Sequence, residues 1–207
     1  MKIIIGYLYH DLMNLYGDSG NVKALSYHLK EQGAEVEVRT FTVGDPKDFK
    51  DCDMLYIGSG TERALDLALQ DMKKDMDPFT EFIEQGKPVL ATGNSLELFG
   101  KDCIGVFDYD PEHTGRIVRD VHTKCPLTEK DIIGFENHAG HIEGMGDFII
   151  EGEFLGTYII GPILVRNPEL CKYFVHKLIG AKDPAHTYLN EDYAYEEEAY
   201  NKTVNAE

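Results

Sequence analysis

The 207-residue sequence is poor in basic residues. It has 20 lysines and arginines against 37 aspartates and glutamates, which gives a formal net charge of -17 at pH 7. A surplus of negative charge repels polyanions and anionic surfaces. The composition therefore argues against nucleic acid as a partner and against electrostatic adhesion to an anionic membrane.

The sequence also lacks the marks of a membrane-spanning or secreted protein. No apolar run approaches the roughly 20 residues that a helix needs to cross a bilayer, and Met1 leads directly into a strand-like stretch with no secretory signal before it. The four cysteines lie far apart, without a CxxC pair. We therefore expect a cytoplasmic protein with reduced thiols. No histidine pairs with carboxylates or cysteines at metal-ligand spacing, so no metal site and no cofactor are predicted.

What the sequence does contain is an alternation of strand-like and helix-like segments, with no repeat and no Gly/Ser linker. The predicted strands are 2–9, 35–41, 54–57 and 88–91, and the predicted helices are 21–31, 61–76 and 79–85. This order predicts one α/β domain with a mostly parallel central sheet and helices on both faces.

The pattern changes after Gly105, where short alternating segments are separated by glycines. They predict strands at 116–121, 132–136, 148–151 and 157–160, as an antiparallel or mixed extension of the sheet, and then a helix at 169–178. Pro184 breaks the chain before a final acidic helix around 191–200. We expect residues 1–183 to form the domain and residues 184–207 to form an acidic C-terminal helix or tail.

The segment 87–100, KPVLATGNSLELFG, is central to any function. It reads as a short apolar strand, a tight turn and a helix that opens at Leu96. This is the geometry of a nucleophile elbow, which raises one side chain above the sheet edge beside free backbone N–H groups. The corner falls on Gly93, which has no side chain to present.

The segment 12–25, LMNLYGDSGNVKAL, follows the first strand and leads into a helix. In an open α/β sheet this position borders the ligand crevice. Asp18, Ser19 and Asn21 are available as helix caps, so a well-capped turn is an equally good interpretation.

The segment 56–63, YIGSGTER, is a second glycine turn between a strand and a helix. Gly58 and Gly60 would let backbone N–H groups approach a ligand oxygen, as in an oxyanion hole or a phosphate cradle. Ser59 with Glu62 fits a capping box equally well.

Two further segments complete the set. In 134–140, GFENHAG, His138 beside Asn137 is either a polar site group or, taken alone, a satisfied turn histidine. In 156–162, GTYIIGP, a strand that ends in Gly-Pro brings Ile160 to the edge of the sheet.

Together and in this order, LMNLYGDSGN, the glycine turn, GFENHAG and GTYIIGP resemble the cobyric-acid-synthase-like class I glutamine amidotransferases. The branch they resemble most is the glutaminase subunit of lipid II isoglutaminyl synthase. The resemblance implies a flavodoxin-like class I amidotransferase fold. It also implies an enzyme that releases ammonia from glutamine and passes it to a Mur-ligase-like synthetase, which activates a carboxylate with ATP.

The resemblance also implies which residues are missing. The family's elbow reads Cys-Gly-Gly-aromatic-Gln-Leu-Leu-Gly, and laying Leu98-Phe99-Gly100 on its end puts Gly93 at the cysteine. Asn94 and Ser95 then fall on the two glycines and Glu97 on the glutamine. The histidine of the family's GTY-x-His-Gly-Pro falls on Ile160.

Loss of both nucleophile and base removes the chemistry, because the attacking thiolate needs a base that activates it and protonates the departing ammonia. In comparable triads this costs on the order of a millionfold in rate. Ser95 is expected to point elsewhere, Cys103 to lie too far away, and Asn94 with Glu97 to form a capping box.

The sequence therefore predicts a pseudo-glutaminase that acts as a binding or regulatory subunit, with a Mur-ligase-like synthetase or a catalytic paralogue as partner. One alternative is an active amidotransferase that uses other groups. Another is a module that binds a glutamine-like or anionic small molecule at the former site, held for example by the helix N-terminus at residues 94–96.

Two sets of residues are predicted to form this site. The former active-site pocket comprises Gly58, Ser59, Gly60, Gly93, Asn94, Ser95, Glu97, Asn137, His138 and Ile160. The family-motif loop comprises Asn14, Tyr16, Gly17, Asp18, Gly20 and Asn21.

Overall fold

A computed structural model describes residues 1–205, with the backbone alone at residue 114. The strands are β1 (Lys2–Leu8), β2 (Glu35–Phe41), β3 (Met54–Ile57), β4 (Val89–Thr92), β5 (Pro111–Thr123), β6 (Ile132–Ile142), β7 (Ile149–Glu151) and β8 (Phe154–Thr157). The helices are α1 (Ser19–Glu31), α2 (Glu62–Met72), α3 (Asp77–Glu84), α4 (Ile163–Arg166), α5 (Pro168–Lys182) and α6 (Ala194–Val204), with a 3₁₀ helix at Gly93–Phe99.

The central sheet has six strands in the order β2-β1-β3-β4-β8-β7. The first five of these pair in parallel, and β7 joins the edge antiparallel to β8. The prediction of a mostly parallel sheet is confirmed, and β7 alone of the strands predicted after Gly105 extends it in the antiparallel sense. The predicted bounds of β2 and β3 match those of the structure.

Helices cover both faces of the sheet, as predicted. Alternate residues of the buried strands point to opposite faces, so Tyr56 of β3 joins the core under α1 and α5, while Leu55 and Ile57 join the core under α2 and α3. Strands covered on both faces are continuously apolar, which is why they could be recognised from the sequence.

The strands β5 and β6 form a separate two-stranded antiparallel sheet instead of extending the central one. This ribbon is much longer than the two short strands predicted at 116–121 and 132–136. It is joined to the chain after β8 by a bridge between Glu136 and Ile159. Gly134 permits the close approach, because a Cβ there would lie 2.4 Å from a side-chain carbon of Ile159.

The prediction of a strand at 157–160 is wrong, because β8 ends at Thr157. Its partner β4 ends at Thr92, and the chain turns away at the next residue. Beyond that point Ile159 accepts a hydrogen bond from the N–H of Gly93 at 3.1 Å, and Ile160 donates to Phe135 at 2.9 Å.

The acidic helix α6 packs against α4 and α5. Tyr193, just before it, is buried and stacks on His28 with ring centroids 3.9 Å apart. Tyr200 donates a hydrogen bond to the carbonyl of Asp131 at 2.7 Å. The C-terminal segment is therefore attached to the body of the protein through aromatic side chains, despite its charge.

A buried ion pair holds the loop after β2 against α2. The Lys47 ammonium lies 2.6 Å from the Asp71 carboxylate, and the two side chains are 4% and 3% exposed. The same carboxylate accepts hydrogen bonds from the hydroxyl of Tyr9 at 3.1 Å and from the N–H of Gly44 at 3.0 Å. No helix within residues 1–205 combines the length and apolarity required to span a bilayer.

Candidate functional site

The corner that follows β4 is formed by Gly93, whose φ of +66° lies in the left-handed region. A non-glycine residue is strained in this conformation. The corner lies at the carboxyl ends of the parallel strands, where ligands bind in open α/β sheets.

The space above Gly93 is filled by Ser59. A Cβ added at Gly93 would lie 2.2 Å from the Ser59 hydroxyl oxygen, 2.7 Å from the Ser59 Cβ and 3.2 Å from a methyl carbon of Ile160. The first two distances are shorter than any tolerated van der Waals contact. The Ser59 side chain therefore occupies the position that the first atom of a nucleophilic side chain would need.

Asp18 fixes Ser59 in this position. The Ser59 hydroxyl donates to a carboxylate oxygen of Asp18 at 2.9 Å, and its N–H donates to the same oxygen at 3.1 Å. The other carboxylate oxygen accepts the N–H of Tyr16 at 3.0 Å. Asp18 is fully buried, and its carboxylate accepts three hydrogen bonds from the chain.

The capping roles predicted for these residues are wrong. Asp18 stands at the N-cap of α1 without a side-chain cap bond, and Asn14 instead accepts the N–H of Ser19 at 2.8 Å. At α2 the N-cap is Thr61, whose hydroxyl accepts from Ala64, so Ser59 and Glu62 form no capping box. The Ser59 hydroxyl is bonded to Asp18 and does not cap α2, as the capping-box motif would require.

Asn94 engages the second glycine turn. Its side-chain oxygen accepts the N–H of Gly60 at 3.0 Å, and its side-chain nitrogen donates to the Gly60 carbonyl at 2.9 Å. Because the N–H groups of Ser59 and Gly60 both already have acceptors, this turn does not offer them to a ligand as an oxyanion hole or phosphate cradle would.

The segment after the corner also differs from the prediction. Residues 93–99 form a seven-residue 3₁₀ helix, not a helix that opens at Leu96, and Asn94 with Glu97 forms no capping box. Ser95 is buried and its hydroxyl donates to the carbonyl of Thr92 at 2.9 Å. This hydroxyl is therefore bonded to the backbone at the end of β4. A 3₁₀ helix of this length is too short to form an anion site at its N-terminus.

Glu97 joins the 3₁₀ helix to the β5–β6 ribbon. Its side chain is 4% exposed, and burial raises the pKa of its carboxyl. The backbone of β6 approaches it closely at Gly140, where an added Cβ would lie 2.0 Å from a Glu97 oxygen and 2.8 Å from the Tyr158 hydroxyl.

His138 lies within β6 and not in a turn, so the interpretation as a turn histidine is wrong. Its Nδ1 is 2.6 Å from the carbonyl of Gly140, and its ring stacks on Tyr158 with centroids 3.8 Å apart. Its Nε2 lies 3.5 Å from the Glu136 carboxylate, which accepts from Arg119 at 2.7 Å. These contacts hold the imidazole in the ribbon, and they include neither Gly93 nor Ser59.

A cleft of about 190 Å³ lies between the glycine turn and the ribbon. It brings together predicted residues from four segments, among them Tyr16, Gly60, Asn94 and Asn137. Gly93, Ser59, Ser95 and Ile160 do not line it, and all four are buried.

Arg116 also lines this cleft, and it was not predicted as a site residue. It donates to the side-chain oxygen of Asn137 at 2.7 Å, and Asn137 donates to the Tyr16 hydroxyl at 3.2 Å. The register of the ribbon shifts between His113 and Ile117. No local signal in the sequence reveals that irregularity. The sequence therefore does not show that Arg116 lies on the side of the ribbon that lines the cleft.

Comparison with known proteins identifies a family model, two related sequences and a related structure. A model of the CobB/CobQ-like glutamine amidotransferase domain matches residues 4–156. The GatD subunit of lipid II isoglutaminyl synthase (glutamine-hydrolyzing) from Staphylococcus aureus strain N315 is 31% identical over 202 residues, covering 82% of this chain and 83% of that protein. The chain therefore belongs to the CobB/CobQ-like glutamine amidotransferase family. The GatD subunit from Streptococcus pneumoniae strain R6 is 25% identical over 201 residues, with 82% and 77% covered.

The predicted resemblance to the CobB/CobQ-like family is therefore confirmed. A solved structure described as a glutamine amidotransferase superposes with a TM-score of 0.51 at 16% identity, and covers 85% of this chain and 98% of its own. That similarity supports the flavodoxin-like class I amidotransferase fold and nothing finer.

The motif loop of this CobB/CobQ-like domain is held closely against the chain after β8. Gly17 has a φ of +78°, which favours glycine. A Cβ at Gly20 would lie 2.7 Å from Pro162, so the start of α1 can pack onto the GTYIIGP segment only with glycine there.

Asn21 lies inside the first turn of α1 and acts as a bridge, not as the cap that was predicted. It is 1% exposed, and it donates to the Tyr56 hydroxyl at 2.7 Å and to the Gly161 carbonyl at 3.0 Å. It also accepts the N–H of Leu164 at 2.8 Å.

The substitution Asn21→Ala is expected to destabilise the protein by about 2–4 kcal/mol, because it leaves buried polar groups without partners. Urea unfolding measures the difference. The control is Asn201→Ala at an exposed position of α6, which should stay within about 0.5 kcal/mol of the parent. Equal effects of the two substitutions would contradict the bridging role.

None of the cysteines of this family member is activated. Burial raises the pKa of Cys52 to about 11 and that of Cys171 to about 12, and it also raises the pKa values of Cys103 and Cys125. Thiols in this state are weak nucleophiles at neutral pH. Among the described residues there is also no group of three or more His, Cys, Asp or Glu side chains that could hold a metal ion.

Proposed function

We propose that this chain is a glutaminase-like subunit that does not hydrolyse glutamine. The observation that carries the proposal is the position of Ser59, whose hydroxyl oxygen lies 2.2 Å from where a Cβ at Gly93 would be. The corner lacks a nucleophile, and the volume in which one would act is filled by another side chain.

The other components of the reaction are affected in the same way. Amide hydrolysis by a nucleophile needs a base that moves a proton and donors that stabilise the oxyanion. Ile160 at the family's histidine position cannot carry a proton, and the Gly60 N–H is bonded to Asn94. Each change alone impairs the chemistry, and together they support a role other than catalysis.

We further propose a binding or regulatory role beside a Mur-ligase-like synthetase, or beside a catalytic paralogue, in cell-wall amidation. The support is that both GatD relatives are named as subunits of a synthase. A cytoplasmic location belongs to this proposal, and the four free cysteines agree with it. Residues 1–183 would form the amidotransferase-like domain, and residues 184–207 an acidic C-terminal helix or tail, of which residues 206–207 lie outside the described part of the chain.

The test of inactivity is glutamine hydrolysis, measured as ammonia release by the protein alone and with its partner. We expect no release above the buffer rate and no adduct with a glutamine-analogue electrophile, because none of the four thiols is activated. The glutamine-hydrolyzing S. aureus relative is the positive control. Stoichiometric labelling of any cysteine would instead establish the alternative, an active amidotransferase with other catalytic groups.

The test of the subunit role is co-elution with a Mur-ligase-like protein encoded beside it, followed by mass photometry. A stable heteromeric complex is expected. A monomer that captures neither such a synthetase nor a paralogue would remove the subunit role and leave the inactivity untouched.

A second candidate is a small-molecule module at the former site, favoured by the open cleft with Arg116 in its wall. A glutamine-like or anionic ligand would place its carboxylate on the guanidinium. Melting temperatures with amino acids, nucleotides and cell-wall fragments test this. A shift that is abolished by Arg116→Gln supports it, and the absence of any shift removes it.

A further inference from the structure

The strand β5 is the open edge of the two-stranded ribbon. It runs for 13 residues, and within residues 1–205 it pairs with β6 and with no other strand. Alternate residues of such an edge turn their backbone N–H and C=O groups away from the sheet, where a further strand can bind them. Most of its described residues are exposed. A long edge is therefore available for pairing with another strand.

One face of β5 is centred on Val118, which is 56% exposed. Its cross-strand neighbour in β6 is Asn137, and residues directly opposite each other share a face. The Nε of Arg116 donates to the side-chain oxygen of Asn137 at 2.7 Å, so Arg116 lies on this face. Asp120 lies on it too, because side chains alternate along a strand. An exposed valine is therefore flanked by an arginine and an aspartate, each two positions away.

The opposite face of β5 holds the ribbon against the body. Val121 is 2% exposed, and the guanidinium of Arg119 pairs with the carboxylates of Glu136 and Asp147. A slip of one residue would turn these side chains outward. The anchored face therefore fixes which side chains the open edge presents.

The two charges beside Val118 have no counter-charge among the described residues. Asp120 is exposed and forms no ion pair, and Arg116 bonds to the amide of Asn137 and to no carboxylate. Charged side chains normally protect an edge strand, because most incoming strands leave them unmatched. Pairing at this edge therefore favours a strand that carries the opposite charges at the opposite positions.

A second copy of β5 meets this requirement. When two copies pair antiparallel about a two-fold axis at Val118, Arg116 of each copy lies opposite Asp120 of the other. Opposite charges directly across an antiparallel pair stabilise it, and like charges destabilise it. Moving the axis by one residue in either direction removes both charge pairs. The edge is thus self-complementary in one register, as an interface with two-fold symmetry requires.

We propose that two copies of this chain associate through the outer edge of β5, so that their ribbons form one four-stranded antiparallel sheet. Backbone hydrogen bonds join the strands, the contact between the valines buries apolar surface, and the two Arg116–Asp120 pairs set the register. Because Arg116 lines the cleft at the former active site, the second copy supplies a carboxylate beside the wall of that cleft. The association does not depend on the inactivity proposed above.

The first test is a pair of charge reversals in the full chain, measured by sedimentation velocity over a range of concentrations. The parent protein forms a reversible dimer. Asp120→Arg and Arg116→Asp each make both cross-strand pairs like-charged, and each weakens the dimer about tenfold. A mixture of the two variants restores opposite charges at every pair, so a one-to-one heterodimer forms with about the affinity of the parent.

The mixture also shows that the loss in each variant is not a failure to fold, because an unfolded chain could not restore the dimer. A parent protein that stays monomeric throughout the micromolar range overturns the proposal. A dimer that both reversals leave unchanged overturns it as well, as does a mixture that remains as weakly associated as the separate variants.

The second test measures the register. In an antiparallel pair the Cβ atoms of opposite residues lie about 4.5–5.5 Å apart, so Val118→Cys is cross-linked to its copy by a short bismaleimide. The matched control is Leu67→Cys at an exposed position of α2, and the parent protein controls for its own cysteines. Cross-linking of Leu67→Cys as fast as that of Val118→Cys overturns the proposal, as does the absence of cross-linked Val118→Cys.

Discussion

The substitution Gly93→Cys is expected to destabilise the protein by about 2–6 kcal/mol and to create no glutaminase. Two costs add. A non-glycine residue in the left-handed conformation costs about 1–3 kcal/mol, and overpacking a filled site costs about 1–3 kcal/mol. The second cost arises because the new Cβ would lie 2.2 Å from the Ser59 hydroxyl oxygen. Urea unfolding of the variant measures the sum.

Ser59→Gly separates the two costs. In a double-mutant cycle the pair Ser59→Gly and Gly93→Cys should show a favourable coupling on the order of 1–3 kcal/mol, because the contacts with Ser59 are gone. The backbone strain and the looser contact with Ile160 at 3.2 Å remain. Gly86→Ala, at an open turn with a φ of +66° and no atom within 4 Å of the added Cβ, is the control for strain without contact. Additive effects of the two substitutions would show that Ser59 does not fill the corner.

The same variants test whether Ser59 blocks reaction at residue 93. Gly93→Cys with Ile160→His should remain unlabelled by a glutamine-analogue electrophile, whereas the triple variant that adds Ser59→Gly should be labelled at residue 93. Turnover by the triple variant should still be slow, because Asn94 keeps the Gly60 N–H and one oxyanion donor is worth about 10²–10³ in rate. Labelling of the double variant would contradict the steric argument.

Breaking the buried ion pair is the other substitution with a large expected effect. Asp71→Asn leaves the Lys47 ammonium buried without its counter-charge, which costs about 3–5 kcal/mol. The matched control is Lys74→Met. Its ammonium also lies 3.4 Å from the Asp71 carboxylate, but its side chain is 68% exposed, so the loss should stay below about 1 kcal/mol. Similar losses for Asp71→Asn and Lys74→Met would show that burial does not set the strength of this pair.

The pair also predicts a pH dependence. Burial raises the pKa of Asp71, but the hydrogen bonds from Lys47 and from the Gly44 N–H outweigh it and lower the pKa overall. A carboxyl whose pKa is depressed by folding stabilises the protein fully above its unfolded pKa of about 3.9 and loses that contribution as the pH falls through the folded value. Unfolding free energies measured between pH 6 and pH 3 should fall more steeply for the parent protein than for Asp71→Asn.

The first half of the sheet could be predicted from the sequence for a definite reason. A parallel strand covered on both faces must be apolar along its whole length, and Met54–Ile57 shows this in four consecutive residues. The position of Gly93 directly after such a strand could also be recognised from the sequence. These features depend on residues close together in the chain.

The features that the sequence did not reveal are set by contacts between distant residues. Ser59 and Asn94 each satisfy a local capping pattern, yet Ser59 bonds to Asp18, 41 residues away, and Asn94 to Gly60, 34 residues away. Tertiary hydrogen bonds therefore override the local motif. The sequence predicts too short a ribbon for the same reason. The full length of Pro111–Thr123 and Ile132–Ile142 depends on cross-strand pairing and not on either segment alone.

The hydroxyl above residue 93 also bears on the history of the chain. A lineage that regained only the missing sulfur would first carry a less stable protein with no activity to select, since the imidazole is absent as well. A nucleophile and a base at these positions would need three substitutions together, at Gly93, Ile160 and Ser59. For the inactive subunit proposed above, the position of Ser59 therefore makes a return to catalysis through single substitutions unfavourable.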